Sequence, residues 1–270
     1  MKAVDVIKFV KEINLEKYFN ENNFGKIVGI EGFTKLNKNI NPWDTSNAAG
    51  GEAFAPESSD LTRLYALIRK RKMINVLEFG SGKSTLVMAA ALLANSKEYE
   101  IESLGIRRKN PFHIFSLESE KKYAQEVSEA CVVNGLQDNV TVIFSEAEQT
   151  TFKNQICGKY KKIPSCCPDL IYIDGPMPMS YQNSSNEYIN MNHNEITNIT
   201  CDVLIIEPIL LPGTVIIVDG MTNNSRFIRR NLQRNWLSFE DLDNDFTIMV
   251  LDEDPLSILH RRQLNFQNNE

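Results

Sequence analysis

Four short stretches constrain this chain most: "NVLEFG" (Asn75–Gly80), "FHIFSLE" (Phe112–Glu118), "PDLIYIDG" (Pro168–Gly175) and "TVIIVDG" (Thr214–Gly220). Each is a near-continuous apolar run closed by a carboxylate, a glycine or both. A strand with no polar face has to be covered on both sides, so the runs demand helices above and below a buried sheet. The intervening segments supply them. "DLTRLYALIRKRK" (Asp60–Lys72) sets Leu61, Leu64, Leu67 and Ile68 at helical spacing behind an Asp N-cap. "STLVMAAALLAN" (Ser84–Asn95) is alanine-rich and apolar enough to lie against a sheet, and "SEKKYAQEVSEACVVNG" (Ser119–Gly135) closes at Asn134-Gly135. "NVTVIFSEAE" (Asn139–Glu148) adds another strand, and "CDVLIIEPILL" (Cys201–Leu211) reads as a crossover helix despite its strand-like composition. "RNWLSFEDLDNDFTIMVLDEDP" (Arg234–Pro255) reads as two strands joined by an acidic turn, an antiparallel return at the sheet's edge. The fold class is α/β, doubly wound, with a mostly parallel sheet, helices on both faces and an antiparallel edge strand.

Composition narrows the partners. With 42% hydrophobic residues over 270 positions the chain can bury a sizeable core. A formal net charge of −6 gives no basic footprint for nucleic acid or an anionic membrane. No apolar run approaches the roughly 18 to 20 residues that span a bilayer. The start, "MKAVDVIKFVKEINLEKYF", reads as a charged amphipathic helix without a signal-peptide core. Cys131, Cys157, Cys166, Cys167 and Cys201 form no C-x-x-C pair and read as free thiols. The expectation is a soluble, cytoplasmic protein with a small-molecule partner; association as a homodimer is left open.

The turn after the first strand, "VLEFGSGKSTLVMAA" (Val76–Ala90), is the functional crux. "GKST" suggests a phosphate loop, which would make the chain an ATP/GTP-binding hydrolase or kinase. In G-x-x-x-x-G-K-[ST], however, counting back from Gly82 puts Leu77 at the first glycine, and Glu78 would face phosphate oxygens. Read as acidic-x-Gly-x-Gly, the stretch sets Gly80 and Gly82 where the backbone turns sharply and a ligand can approach without a Cβ in the way. A carboxylate at the strand end suits a cationic ligand, such as the ammonium and sulfonium of S-adenosylmethionine.

At this point the stretch resembles motif I of the class I S-adenosylmethionine-dependent methyltransferases, in the variant E-F-G-x-G-x-S-T. Later motifs over roughly residues 60 to 252 fall in that family's order. The third glycine of the longer pattern is Ser84 here, a residue that could cap the following helix. The resemblance implies a Rossmann-like domain over 60–255, a helical N-terminal cap and loop over 1–59, with Trp43 in its "NPWDTSNAAGGEAF" loop, and a polar tail over 256–270. It implies cofactor contacts from Glu78, Gly80, Ser81, Gly82, Ser84 and Thr85. It places Glu118, followed by Ser119, on the ribose hydroxyls, Ser145, Glu146 and Ala147 beside the adenine, and Asp174 near the methyl group.

Methyl transfer is an in-line displacement, so the protein must align donor and acceptor and, for a hydroxyl acceptor, remove a proton. Asp174, Asp219 and His193 are the candidates. Asp174 and Asp219 end strands at the carboxyl edge of the sheet, where open α/β folds bind ligands. The resemblance to catechol-type O-methyltransferases also makes the two aspartates a magnesium pair, with Mg²⁺ as an optional further ligand. Gly220 stands where that pattern has Asn; Asn223 or Asn224 is the substitute. The plainer role for Asp219 is to cap the next helix. His193 lies in the polar insertion "PMPMSYQNSSNEYINMNHNE" (Pro176–Glu195), where it is either a base over the substrate or an exposed loop residue. A sugar or phenolic hydroxyl is the expected acceptor. The rivals are the nucleotide-binding protein above and a non-catalytic adenosyl-binding protein.

Overall fold

The computed structural model describes residues 2–22, 24–35, 57–103, 105–177, 180–182, 189–191, 193 and 195–268. Trp43 and its glycine-rich loop lie outside the described residues.

A seven-stranded sheet forms the centre, ordered β3-β2-β1-β6-β8-β10-β9. Its strands are β1 (Asn75–Phe79), β2 (His113–Glu118), β3 (Val140–Phe144), β6 (Leu170–Ile173), β8 (Val215–Asp219), β9 (Trp236–Asp241) and β10 (Phe246–Leu251). The first five are parallel, and β10 runs antiparallel to both β8 and β9. Every residue of β1 and β6 is buried, which explains their unbroken apolar character. Chain order runs outward from β1 to β3 on one side and from β6 to β8 on the other, so the topology switches between β1 and β6. Ligand crevices of open α/β sheets lie at the carboxyl ends of such strands.

One face is covered by α3 (Ser58–Lys70) and α4 (Lys83–Glu98). Leu64, Leu67 and Ile68 of α3 and Val87, Met88 and Leu92 of α4 are buried in one core with the sheet. Each such side chain contributes roughly 1.5 to 3 kcal/mol by leaving water. Asn95, buried among them, is satisfied by donating to the Ile68 and Met73 carbonyls, both at 3.0 Å. The helix α3 begins earlier than the sequence reading has it. Glu57 is its N-cap, Asp60 sits in its first turn, and Ser58 exchanges hydrogen bonds with Thr34 of the cap.

The N-terminal segment is two helices, α1 (Ala3–Glu12) and α2 (Leu15–Asn22), where the sequence suggested one. The break is marked by Asn14, whose Oδ1 accepts the Lys17 N–H at 3.0 Å. Val6, Val10, Phe19 and Phe24 join the core of the α/β unit, and Phe24 stacks on Tyr65 at 4.6 Å. The helices α5 (Lys121–Val133), α6 (Asp202–Ile206) and α7 (Thr222–Asn231) fill the crossovers. The segment read as a polar tail forms α8 (Ile258–Asn268), tied down by Gln263, which donates to Asp169 at 2.6 Å.

The element missed by the sequence reading is a second sheet, β5-β4-β7, made of β4 (Ala147–Phe152), β5 (Gln155–Tyr160) and β7 (Tyr181–Gln182). β4 and β5 form a hairpin whose two turn residues, Lys153 and Asn154, have φ of 49° and 63°. That is the conformation of a tight hairpin turn, built without the glycine that would have announced it. Among the described residues no helix is long and apolar enough to cross a membrane.

Candidate active site

The glycine turn is held from inside. Glu78 is completely buried, flanked in the sheet by Ser116 of β2 and Tyr172 of β6. Its Oε1 accepts the Ser84 hydroxyl at 2.6 Å, and its Oε2 accepts Thr85 and Ser116, each at 2.6 Å. Burial outweighs these three donors and pushes the Glu78 pKa up to about 7. Glu78, Ser84 and Thr85 are therefore spent on one another, and the side chain expected to face a cationic ligand is instead the internal peg of the turn. Ser84 does not cap α4; Gly82 is the N-cap residue, and its N–H donates to Thr85 Oγ1 at 3.0 Å. The same arrangement disposes of the phosphate-loop reading, because the hydroxyls that would hold a nucleotide's metal point inward while Lys83 is exposed.

Gly80 has φ of 95°, a region that favours glycine. A Cβ there would lie 2.8 Å from the Gly175 nitrogen, and one on Gly175 would lie 2.7 Å from Gly80 Cα. The turns after β1 and β6 thus touch backbone to backbone at the switch point.

Glu118 ends β2 beside this contact and is 5% exposed. Its Oε2 accepts both the backbone N–H and the hydroxyl of Ser81 at 3.0 Å, and Oε1 accepts the Glu120 N–H at 2.9 Å. Ser119 Oγ sits 3.3 Å from both Glu118 Oε1 and Ser180 Oγ. The residues expected beside an adenine open the hairpin instead of extending β3. Ser145 is buried with its hydroxyl accepting the Lys162 N–H at 2.8 Å, Glu146 pairs with Lys161 at 2.7 Å, and Ala147 starts β4.

Asp174 follows β6 and is open to solvent, its N–H bonded to Phe79 O at 2.9 Å. Partial removal of its carboxyl from water within the cleft, with Glu78, Asp60 and Glu118 nearby, pushes its pKa up to about 7. Asp219, half-buried at the end of β8, accepts the Tyr172 hydroxyl at 2.6 Å. Burial and the Asp60 and Asp174 carboxylates hold Asp219 well above the usual carboxylate range. Asp219 caps no helix; Met221 stands at the N-cap of α7. Asp60 is ion-paired with Arg63, whose guanidinium lies 3.9 Å from the Phe246 ring centre. Alternation along β6 puts Tyr172 on the same face as Asp174, a signal the sequence held but which an apolar reading of the strand hid. Asp60 and Arg63, one helical turn apart, are the other site residues that sequence reasoning passed over.

His193 is not brought to this pair by any hydrogen bond among the described residues. It is exposed, and its Nδ1 accepts the Glu195 N–H at 3.2 Å within a turn. Several of the donors expected for magnesium are engaged elsewhere. One Asp219 oxygen is taken by Tyr172, Gly220 offers no side chain, and Asn224 is buried with its Oδ1 accepting the Thr200 N–H at 2.9 Å. Asn223 is exposed and donates to Thr197 at 2.6 Å. Among the described residues no three His, Cys, Asp or Glu side chains gather as a metal set.

A cavity of about 420 Å³ lies between the N-terminal helices, the start of α3 and the β9–β10 turn, lined in part by Lys11, Asn14, Ser59, Arg63, Asn244 and Phe246. Phe246 is the register partner of Asp219.

The chain is similar in structure to cofactor-bound Rv0187 from MTB, at 16% identity over 78% of this chain and 87% of that one, with a TM-score of 0.46. It is similar to the O-methyltransferase TomG from Streptomyces achromogenes, solved with SAM, at 13% identity over 89% and 100%, TM-score 0.44. An O-methyltransferase from Bacillus cereus, solved with SAH, matches at 16% identity over 88% and 100%, TM-score 0.44. No curated protein matches the chain in sequence. The family described as "Methyltransferase domain" matches residues 77–221, more than half of the sequence, from within β1 to just past the end of β8. The chain belongs to that family and is an S-adenosylmethionine-dependent methyltransferase.

Proposed function

We propose that the enzyme methylates a hydroxyl oxygen of a small molecule, a sugar or a phenolic compound, with the donor seated across the β1–β6 switch point. The observation that carries the reading is the arrangement of Glu118 and Asp174 on either side of the Gly80–Gly175 contact. In this reading Glu118 exchanges its bonds to Ser81 for the ribose hydroxyls. Gly80, Ser81 and Gly82 supply the close backbone, and Ser119, Ser145, Glu146 and Ala147 border the adenine side. Glu78, Ser84 and Thr85 act one step back, fixing the shape of the turn.

Asp174, at the carboxyl end of β6, is the proton acceptor. The acceptor oxygen attacks the methyl carbon in line; the carbon–sulfur bond breaks as the carbon–oxygen bond forms, and the hydroxyl proton passes to Asp174. A carboxyl with its pKa raised toward neutrality is matched to that task. The Glu78, Asp60 and Glu118 carboxyls nearby sustain its basicity, and Asp219, fixed by the Tyr172 hydroxyl, closes the same edge of the sheet. The cavity next to Phe246 and Arg63 has the size of a small-molecule pocket, roughly 300 Å³ upward, and supports acceptor selection by the N-terminal cap.

The test is methyl transfer from isotopically labelled S-adenosylmethionine to a panel of sugars, phenols, amines and thiols. Label appearing as a methyl ether supports the reading. Label on nitrogen or sulfur alone refutes the oxygen assignment while leaving the donor site intact.

A further inference from the structure

Tyr160 ends β5 and reaches under the switch point from the opposite face of the sheet. Its ring lies 5.7 Å from that of Phe79, its N–H donates to Asp202 Oδ1 at 2.9 Å, and the residue is 1% exposed. Its hydroxyl is fully buried and has no hydrogen-bond partner among the described residues. Buried hydroxyls are normally satisfied, so an unmet one at a ligand crevice calls for a partner. The hydroxyl abuts the Gly80–Gly175 seam: a Cβ on Gly175 would come within 3.0 Å of it. The sulfonium of the donor carries three substituents; with the ribose at Glu118 and the methyl at Asp174, as put forward above, the amino-acid chain is the one left to run along the seam. Glu118, Asp202 and Glu78 are the carboxyl groups that bear on the hydroxyl. Glu78 and Glu118 already spend their oxygens as acceptors within the turns, whereas the Tyr160 phenol has an O–H free to give to a carboxylate.

We propose that Tyr160 is a donor-binding residue whose hydroxyl hydrogen-bonds the carboxylate of bound S-adenosylmethionine at the Gly80–Gly175 seam. The proposal rests on the donor site put forward above. Glycine at both seam positions is then required twice, for the strand ends to meet and for the ligand to come within reach of a side chain below them.

The experiment is a calorimetric cycle on the full chain, using S-adenosylhomocysteine and its decarboxylated analogue against wild type and Tyr160→Phe. The expected result is 3- to 10-fold weaker S-adenosylhomocysteine binding by Tyr160→Phe. Wild type should lose a similar factor when the carboxylate is removed, and the variant should lose nothing further. The ligand-free unfolding temperature of Tyr160→Phe should be unchanged or higher, since no bond is lost. Equal affinity of variant and wild type overturns the proposal, as does a lower ligand-free unfolding temperature with affinity unchanged, the mark of a purely structural hydroxyl. If the variant does not fold, the wild-type comparison still decides: indifference to the missing carboxylate refutes the contact. Wild type that binds neither compound refutes the donor site itself.

Discussion

Gly80 and Gly175 meet so closely that neither tolerates a side chain: a Cβ on either would come within 3.0 Å of the other's backbone. Their contact joins the turns after β1 and β6, and every residue assigned to donor or acceptor in this account is arranged around it.

Gly175→Ala should therefore force the strand ends apart, costing about 1 to 3 kcal/mol by overpacking and weakening S-adenosylhomocysteine binding at the same time. Gly32→Ala, which would place its Cβ in open space, should stay within about 0.5 kcal/mol of wild type. Denaturant unfolding of the two variants measures the difference.

Glu118 and Lys83 separate the two readings of "GSGKST". Glu118→Ala should weaken S-adenosylhomocysteine binding by about one to two orders of magnitude, because hydrogen bonds to a charged group contribute roughly 1.5 to 3 kcal/mol each. Exposed Lys83 has no role in the adenosyl reading, so Lys83→Ala should stay near wild type. Equal losses in calorimetry would contradict the assignment.

Asp174→Asn should lower kcat by about 10² to 10⁴, the usual worth of a positioned general base, and leave S-adenosylhomocysteine affinity within a few-fold. With the Asp174 pKa pushed up to about 7, only its deprotonated form accepts a proton, so wild-type kcat should rise with pH through neutrality. A flat kcat profile between pH 6 and 8, with chemistry rate-limiting, would remove Asp174 as the base.

Glu78 and Asp202 are buried carboxyls whose pKa values burial pushes up to about 7 from 4.5 and 3.8. Between the unfolded and folded values the native state holds protons that the unfolded chain has released. Their contribution to stability is full below the unfolded values and is lost as pH rises toward and through 7. Glu78→Gln removes one such group, so the deficit of the variant relative to wild type should shrink from pH 5 to pH 8 in parallel urea titrations. A deficit that grows over that range would mean the Glu78 pKa is not raised.

The donor set around Asp219 predicts that chelation is harmless. Transfer assayed with excess chelator should match the untreated rate within about twofold, since Tyr172 and Thr200 occupy the groups a magnesium ion would need. A large loss restored by Mg²⁺ would show that the pair rearranges to bind metal.

How far the sequence carried the account follows from what each signal encodes. The parallel strands were legible because burial on both faces leaves continuous apolar runs, and the antiparallel edge because an acidic turn separates two such runs. The β4–β5 hairpin was hidden: its strands are polar and half-exposed, and its turn is Lys153-Asn154 without glycine. Within the site, the glycines and strand-end carboxylates were readable from spacing. The inward direction of Glu78 was not, because it depends on hydroxyls arriving from Ser84, Thr85 and Ser116, the last of them 38 residues away. Tyr160 was invisible for the same reason. It reaches the site through the hairpin, and nothing local to "CGKYKK" announces a crevice.

The most direct test of the central claim is calorimetric titration of the purified chain with S-adenosylhomocysteine and, separately, with ATP and Mg²⁺. Saturable one-site binding of S-adenosylhomocysteine, with no heat from ATP, is the predicted result. Binding of ATP alone would contradict it and make "GKST" a phosphate loop after all.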